Sequence, residues 1–103
     1  MNKEEVAKIG FEIVAYSGDA RSNYMEALSN VRDGGSLEKT QELIEKGNKS
    51  INLAHKSQTK LLAEEAGGED VELGFIFVHG QDHLMTTLLL RDILDHLMNI
   101  YKG

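Results

Sequence analysis

Apolar residues recur at alternating spacings of three and four along the first third of the chain. These positions are Val6, Ile9, Ile13, Tyr16, Ala20, Tyr24, Ala27 and Val31. Such spacing places the side chains on one side of a helix, because an α-helix has 3.6 residues per turn. The pattern therefore predicts one long amphipathic helix.

Two pairs of adjacent glycines, within residues 33–36 and 66–70, divide the chain into three segments of similar length. Ser36 is a good N-cap for the second helix, and the third is expected directly behind Glu69 and Asp70, because acids favour helix N-termini. Proline, the strongest helix breaker, is absent. We predict a single all-α domain over residues 1–103, with three long antiparallel helices in an up-down-up order. The apolar stripe of the second helix is weaker: Leu37, Ile44, Ile51, Ala54, Leu61 and Leu62.

Five glycines lie inside the predicted helices, where each costs up to about 1 kcal/mol relative to alanine. Close packing between helices is the simplest reason for them. For Gly80, a bare backbone that lets another molecule approach is an equal alternative. The five are Gly10, Gly18, Gly47, Gly74 and Gly80.

The third segment is apolar on nearly every side in its first half. Its second half has a polar face at Asp92, Asp95, His96 and Asn99, but the same face further back holds Leu88, Met85, Leu84 and Phe77. A helix of this kind is buried nearly all round, and a three-helix monomer cannot cover every side of one helix. The pattern therefore predicts self-association through the third helix, in a cyclic oligomer.

Composition narrows the possible functions. The chain has 103 residues and a formal net charge of −6, which argues against nucleic-acid binding and favours basic protein partners or simple solubility. It has no cysteine, so it has no disulfide, thiolate metal site or thiol nucleophile. No stretch approaches the roughly 20 apolar residues needed to span a bilayer, and the polar N-terminus lacks a signal-peptide core. We expect a soluble, cytoplasmic protein with no membrane insertion.

Candidate chemistry is concentrated in residues 78–87. His79, Asp82 and His83 project from one side of the third helix, since they are at positions i, i+3 and i+4. The histidine spacing suits a metal, but Gly80 stands where the zinc-protease signature requires a general-base glutamate, so hydrolytic zinc is disfavoured. A neutral imidazole is also a good nucleophile towards a phosphoryl group. His83 is equally well explained as a satisfied structural residue.

Asp82 lies on an otherwise apolar line of the same helix, where a lone carboxylate is costly unless paired, protonated or metal-bound. If that line follows a symmetry axis, copies of Asp82 converge there, and a divalent cation such as Mg²⁺ would relieve their repulsion. The alternative is an ion pair with Arg21 or with a lysine of another helix. Thr86 and Thr87 have two possible roles, bonding back to helix carbonyls or donating to an anion. The apolar line consists of Phe75, Val78, Leu89, Ile93 and Ile100.

Residues 78–87, together with residues 11–22 and 54–59, resemble three segments of one bacterial family. These are the IIA components of the lactose/cellobiose class of the phosphoenolpyruvate-dependent sugar phosphotransferase system. The resemblance covers essentially the whole chain. Gly80 favours the lactose-specific branch, because the cellobiose branch more often has alanine there.

The resemblance implies a homotrimer packed as a nine-helix bundle. It implies that His79 accepts a phosphoryl group from the phosphocarrier HPr and passes it to a cysteine of the IIB component, for uptake and phosphorylation of lactose or a related β-disaccharide. His83 and Thr86 would support the phosphoryl group. Asp82 would hold Mg²⁺ on the trimer axis. Two alternatives remain: a small metal-binding protein using His79, Asp82 and His83 together, and a non-catalytic helical interaction module.

Overall fold

The computed structural model describes residues 1–102 and confirms an all-α fold of three long helices. Helix α1 spans Lys3–Arg32, α2 spans Leu37–Ala66 and α3 spans Phe75–Lys102. The molecule is a rod of 50 × 19 × 19 Å. Ser36 caps α2 as predicted, with its hydroxyl accepting from the backbone N–H of Lys39 at 3.1 Å.

Contacts between α1 and α2 show that these helices are antiparallel. Near the connecting turn, the Asn30 side-chain amide donates to the Thr40 hydroxyl at 2.8 Å. Towards the other end of the rod, the Ser57 hydroxyl donates to the Glu12 carboxylate at 3.4 Å. Early residues of α1 therefore meet late residues of α2, which confirms the predicted reversal of direction.

Helices α1 and α3 run parallel and approach closely at two glycines. A Cβ atom on Gly10 would lie 2.9 Å from the Cα of Phe77, and one on Gly80 would lie 3.0 Å from the Gly10 carbonyl oxygen and 3.3 Å from the Ile13 Cβ. Gly80 is therefore buried for close helix packing. The alternative, that it leaves backbone open to another molecule, is wrong.

Helix α1 lies between the other two helices, which contact each other little. Its predicted apolar stripe is confirmed, because its members are buried or pack against the core. The prediction for α2 is partly wrong, since Leu37 and Leu62 are exposed while Thr40, Leu43 and Gly47 face inward. Gly47 packs so closely against the ring of Tyr24 that a Cβ atom there would overlap the ring, so only glycine fits at this position.

The third helix begins at Phe75, several residues later than predicted. Glu69 and Asp70 do not cap it, because they bind the chain's N-terminus instead. The Met1 amino group donates to the Asp70 carbonyl oxygen at 2.8 Å and lies 3.3 Å from the Glu69 carboxylate. Gly74 consequently precedes the helix rather than lying within it.

Helix α3 has two contrasting apolar faces. Its inner face packs on α1 and consists of Gly80, Leu84, Thr87, Leu94 and Met98, all buried. Its outer apolar face is open to solvent in a single chain, with exposures from 40% at Ile93 to 83% at Phe75. The intramolecular bundle therefore covers only one side of this helix. The outer apolar face consists of Phe75, Val78, Met85, Leu89, Ile93 and Ile100.

Candidate functional site

The site is organised around the exposed imidazole of His79, in the second turn of α3. Helical geometry places it between the outer apolar face and the inner face of that helix. The ring of Phe75 stacks beside it with centroids 6.5 Å apart and planes 4° from parallel. His83 lies on the other side, edge-on, with centroids 4.5 Å apart and an interplanar angle of 83°. The structure therefore brings the two predicted histidines into direct contact.

His83 also lines a polar cavity between α1 and α3. The cavity has a volume of about 410 Å³ and is bounded on the α1 side by Arg21 and Met25. Helix α3 contributes Asp82, Thr86 and three further residues to its wall, namely His83, Thr87 and Leu90. An imidazole, a guanidinium and hydroxyl groups, which can bind oxyanions, therefore share the cavity wall with the Asp82 carboxylate.

The two threonines differ in what their hydroxyl groups contact. The Thr86 hydroxyl donates to the carbonyl oxygens of Asp82 at 2.8 Å and His83 at 3.2 Å, which is the back-bonding that the sequence offered as one alternative. Its oxygen can still accept a hydrogen bond. Thr87 is 1% exposed, and its hydroxyl has no partner within residues 1–102.

Asp82 is exposed on α3, in register with the outer apolar face. Arg21 shares the cavity wall with it, but the two form no ion pair within 4.0 Å in the part of the chain that is described. The carboxylate is exposed and has no ion-pair partner in the described part of the chain. It is available to a neighbouring chain or to a cation.

Within residues 1–102, no three side chains of His, Asp or Glu lie close enough together to hold a metal ion. His79, Asp82 and His83 therefore do not form a joint metal site in one chain. A hard cation such as Mg²⁺ takes several oxygen ligands. Asp82 fits that chemistry only when carboxylates from more than one chain converge.

Gln81 lies on a different side of α3 from His79 and hydrogen-bonds to Gln58 of α2. This contact joins two helices that otherwise touch little. The sequence gives a signal for it, since Gln58 interrupts the apolar stripe of α2. Phe75 also borders the site, although the sequence pattern identifies it only as an apolar position.

Over the described residues, none of the helices combines the length and apolar character needed to cross a membrane.

Comparison with known proteins gives matches that span nearly the whole chain, including residues 78–87. Residues 8–102 match the family model described as "PTS system, Lactose/Cellobiose specific IIA subunit". A relative from Staphylococcus epidermidis, a PTS system lactose-specific EIIA component, is 54% identical over 99% of this chain and 97% of its own. The component of the same name from Streptococcus mutans is 53% identical, again over 99% of this chain and 97% of its own.

Solved structures show the same fold. The PTS cellobiose-specific enzyme IIA from Bacillus anthracis superposes with a TM-score of 0.89 at 34% identity, covering 99% of this chain and 91% of that one. The crystal structure of PtcA from S. mutans superposes with a TM-score of 0.92 at 38% identity, and covers 100% of both chains.

Proposed function

This chain belongs to the lactose/cellobiose-specific IIA family of the sugar phosphotransferase system, and from that premise we propose that it is a phosphocarrier whose reactive residue is His79. The observation that carries the proposal is the position of this imidazole. It is exposed on the surface of α3 and is flanked by the rings of Phe75 and His83. Phosphoryl transfer depends chiefly on such positioning and on charge stabilisation.

The proposed transfer has two steps. A ring nitrogen of His79 attacks the phosphorus of phosphorylated HPr, so a new N–P bond forms while the N–P bond in HPr breaks. A cysteine thiolate of the IIB component then attacks the same phosphorus, and a P–S bond forms while the bond to His79 breaks. The electron pair of each broken bond returns to the departing imidazole, so the chain ends unchanged.

His83 and Thr86 are proposed to support the phosphoryl group. The His83 ring is 4.5 Å from that of His79 between centroids and also faces the cavity that holds the Arg21 guanidinium. The Thr86 hydroxyl donates to helix carbonyls, so its contribution is through its oxygen or through holding the turn in place. Hydrogen-bond donors near developing negative charge favour transfer.

The proposed working form is a homotrimer packed as a nine-helix bundle, with α3 near the threefold axis. Support comes from the outer apolar face, which includes Leu89 at 60% and Val78 at 54% exposure. Contiguous apolar surface of this kind marks an interface. Asp82 lies in register with that face, so three carboxylates would converge and hold one Mg²⁺ per trimer, which neutralises their repulsion when bound.

We infer lactose or a related β-disaccharide as the transported sugar, because lactose-specific components are among the relatives that match this chain at 53–54% identity. The proposed partners are HPr as donor, IIB as acceptor and further copies of the chain. The net charge of −6 supports protein partners over nucleic acid. The proposed site of action is the cytoplasm.

Reconstitution tests the proposal. The protein is incubated with phosphoenolpyruvate, enzyme I and HPr, and intact mass spectrometry is performed at neutral pH and after acid treatment. One acid-labile phosphoryl group per chain is expected in the unsubstituted protein and none in His79→Ala. Absence of phosphorylation, or its persistence in His79→Ala, contradicts the proposal. Tight stoichiometric zinc that is lost on substituting either histidine would instead favour a metal-binding function.

A further inference from the structure

Three rings follow one another along α3 at intervals of four residues: Phe75, His79 and His83. Residues at i and i+4 are neighbours on a helix surface, so the central ring has one ring on each side. The Phe75 plane is within 4° of parallel to that of His79, while the His83 plane is 83° from it. The reactive imidazole therefore has neighbours that define the plane of its ring.

Phe75 is unusual in this arrangement because its side chain is 83% exposed in the single chain. Burial in the chain's own core therefore does not explain a phenyl ring at this position. Its backbone is fixed, since Phe75 is the first residue of α3 and the N–H of Val78 donates to the carbonyl oxygen of Gly74 across that turn at 3.2 Å. Its ring stacks beside that of His79.

An exposed imidazole exchanges rapidly between orientations, on the picosecond to nanosecond scale. Phosphoryl transfer requires the attacking nitrogen to stand in line with the leaving group, so orientations in other directions are unproductive. Stacking of parallel, offset aromatic rings at centroid distances of 4.5–7 Å is favourable. A phenyl ring on one side and a perpendicular imidazole on the other therefore favour one orientation of His79.

We infer that Phe75 is a positioning residue for His79, and that its ring holds the imidazole plane in the orientation used for phosphoryl transfer. This inference rests on the proposed phosphocarrier function. Phe75 also lies on the outer apolar face of α3, so its role in orienting His79 must be separated from a role in assembly. The size of the effect follows from the strength of an aromatic pair, which corresponds to a rate change of about three- to ten-fold.

The experiment compares Phe75→Ala, Phe75→Leu and Phe75→Tyr in phosphoryl transfer from phospho-HPr, with kcat and KM measured separately. Tyr101→Ala is the matched control. It removes another exposed aromatic ring from α3, about 39 Å further along the helix axis than Phe75 at about 1.5 Å per residue. We expect kcat to fall about three- to ten-fold in both Phe75→Ala and Phe75→Leu with KM unchanged, and to be kept in Phe75→Tyr.

A measurement independent of activity is the proton NMR spectrum of the His79 ring. Its ring-proton shifts should change in Phe75→Leu, which removes the aromatic ring current, and should be kept in Phe75→Tyr. Sedimentation of each variant reports the oligomeric state. Leucine keeps the apolar surface, so an assembly role predicts normal kcat in Phe75→Leu and dissociation only in Phe75→Ala.

Several outcomes overturn the inference. A raised KM with normal kcat would assign Phe75 to partner docking, and full kcat in Phe75→Leu would assign it to apolar packing. If the unsubstituted protein accepts phosphate and the variants match it, only the role of Phe75 fails. If the unsubstituted protein accepts none, the proposed function fails and this inference falls with it.

Discussion

The inner face and the outer apolar face of α3 have similar residue chemistry but very different surroundings. Leu84 on the inner face is 0% exposed, whereas Leu89, little more than one turn away, is 60% exposed. Helix α1 covers the inner face so closely that a side chain at Gly80 would meet its backbone. No part of the described chain covers the outer apolar face in the same way.

The inner face of α3 is therefore needed for folding, whereas the outer apolar face is available for contacts with other molecules. The bundle is held by the inner face of α3 and by α1, which lies between its two neighbours. His79 and Asp82 are exposed on the rest of α3. Substitutions on the two faces should therefore have different consequences, and that expectation can be tested residue by residue.

Replacement of the proposed nucleophile should give the largest effect. His79→Gln is expected to abolish phosphoryl acceptance from phospho-HPr without changing the melting temperature, because the side chain is exposed and contributes little to the core. His96→Gln is the matched control, since His96 is exposed on the polar side of the same helix. Equal loss of phosphorylation in both variants would contradict a specific role for His79.

A charge on the outer apolar face should break the trimer. Leu89→Asp would bring an unpaired carboxylate from each chain into the proposed interface, at a cost of several kcal/mol per buried charge. Analytical ultracentrifugation should then find monomers that retain the helical circular dichroism spectrum. Leu37→Asp is the control, because Leu37 on α2 is exposed to a similar extent, at 59%. Dissociation by Leu37→Asp, or a stable trimer with Leu89→Asp, would contradict assembly through α3.

Truncation on the inner face should reduce stability instead. Leu84→Ala is expected to lower the free energy of unfolding by about 2–5 kcal/mol, because it leaves a cavity in a closely packed contact. The measurement is urea unfolding followed by circular dichroism. Leu89→Ala is the comparison, and in the dissociated monomer it should change stability by less than about 0.5 kcal/mol. Similar losses from both variants would show that the two faces are equally buried in the monomer.

The smallest effect is expected from the loss of Mg²⁺ at the threefold axis of the proposed trimer. If three Asp82 carboxylates share a Mg²⁺ ion, added magnesium should raise the melting temperature of the unsubstituted trimer by linkage. Asp82→Asn removes the repulsion together with the cation site, so the variant should form a trimer that does not respond to magnesium or to chelator. A magnesium response that survives in Asp82→Asn would place the cation elsewhere or exclude the site.

The sequence predicted α1, the first turn and the end of α2 well, because an uninterrupted apolar stripe and paired glycines leave few alternatives. The stripe of α2 was partly misassigned, since Thr40 and Gly47 are inside for reasons of fit. The Thr40 hydroxyl accepts from Asn30, and Gly47 makes room for the Tyr24 ring. Neither is an apolar side chain, so hydrophobic periodicity does not detect them.

The start of α3 was misplaced for a different reason. Glu69 and Asp70 have the composition of a helix N-terminus, but a contact with the amino group of Met1, distant in sequence, places them outside the helix. At the site, the sequence predicted that His79 and His83 share a side of α3, and their ring contact confirms it. The stacking of Phe75 and the bond between Gln58 and Gln81 depend on rotamers and on helix packing, which spacing alone does not specify.

Native mass spectrometry of the protein after phosphorylation by phosphoenolpyruvate, enzyme I and HPr tests directly whether the uncovered side of α3 serves both assembly and transfer. The proposal predicts a complex of three chains with up to three phosphoryl groups, and an unphosphorylated complex of three chains for His79→Gln. A phosphorylated monomer would contradict assembly through α3. A trimer of His79→Gln that still carries phosphoryl groups would contradict the assignment of His79.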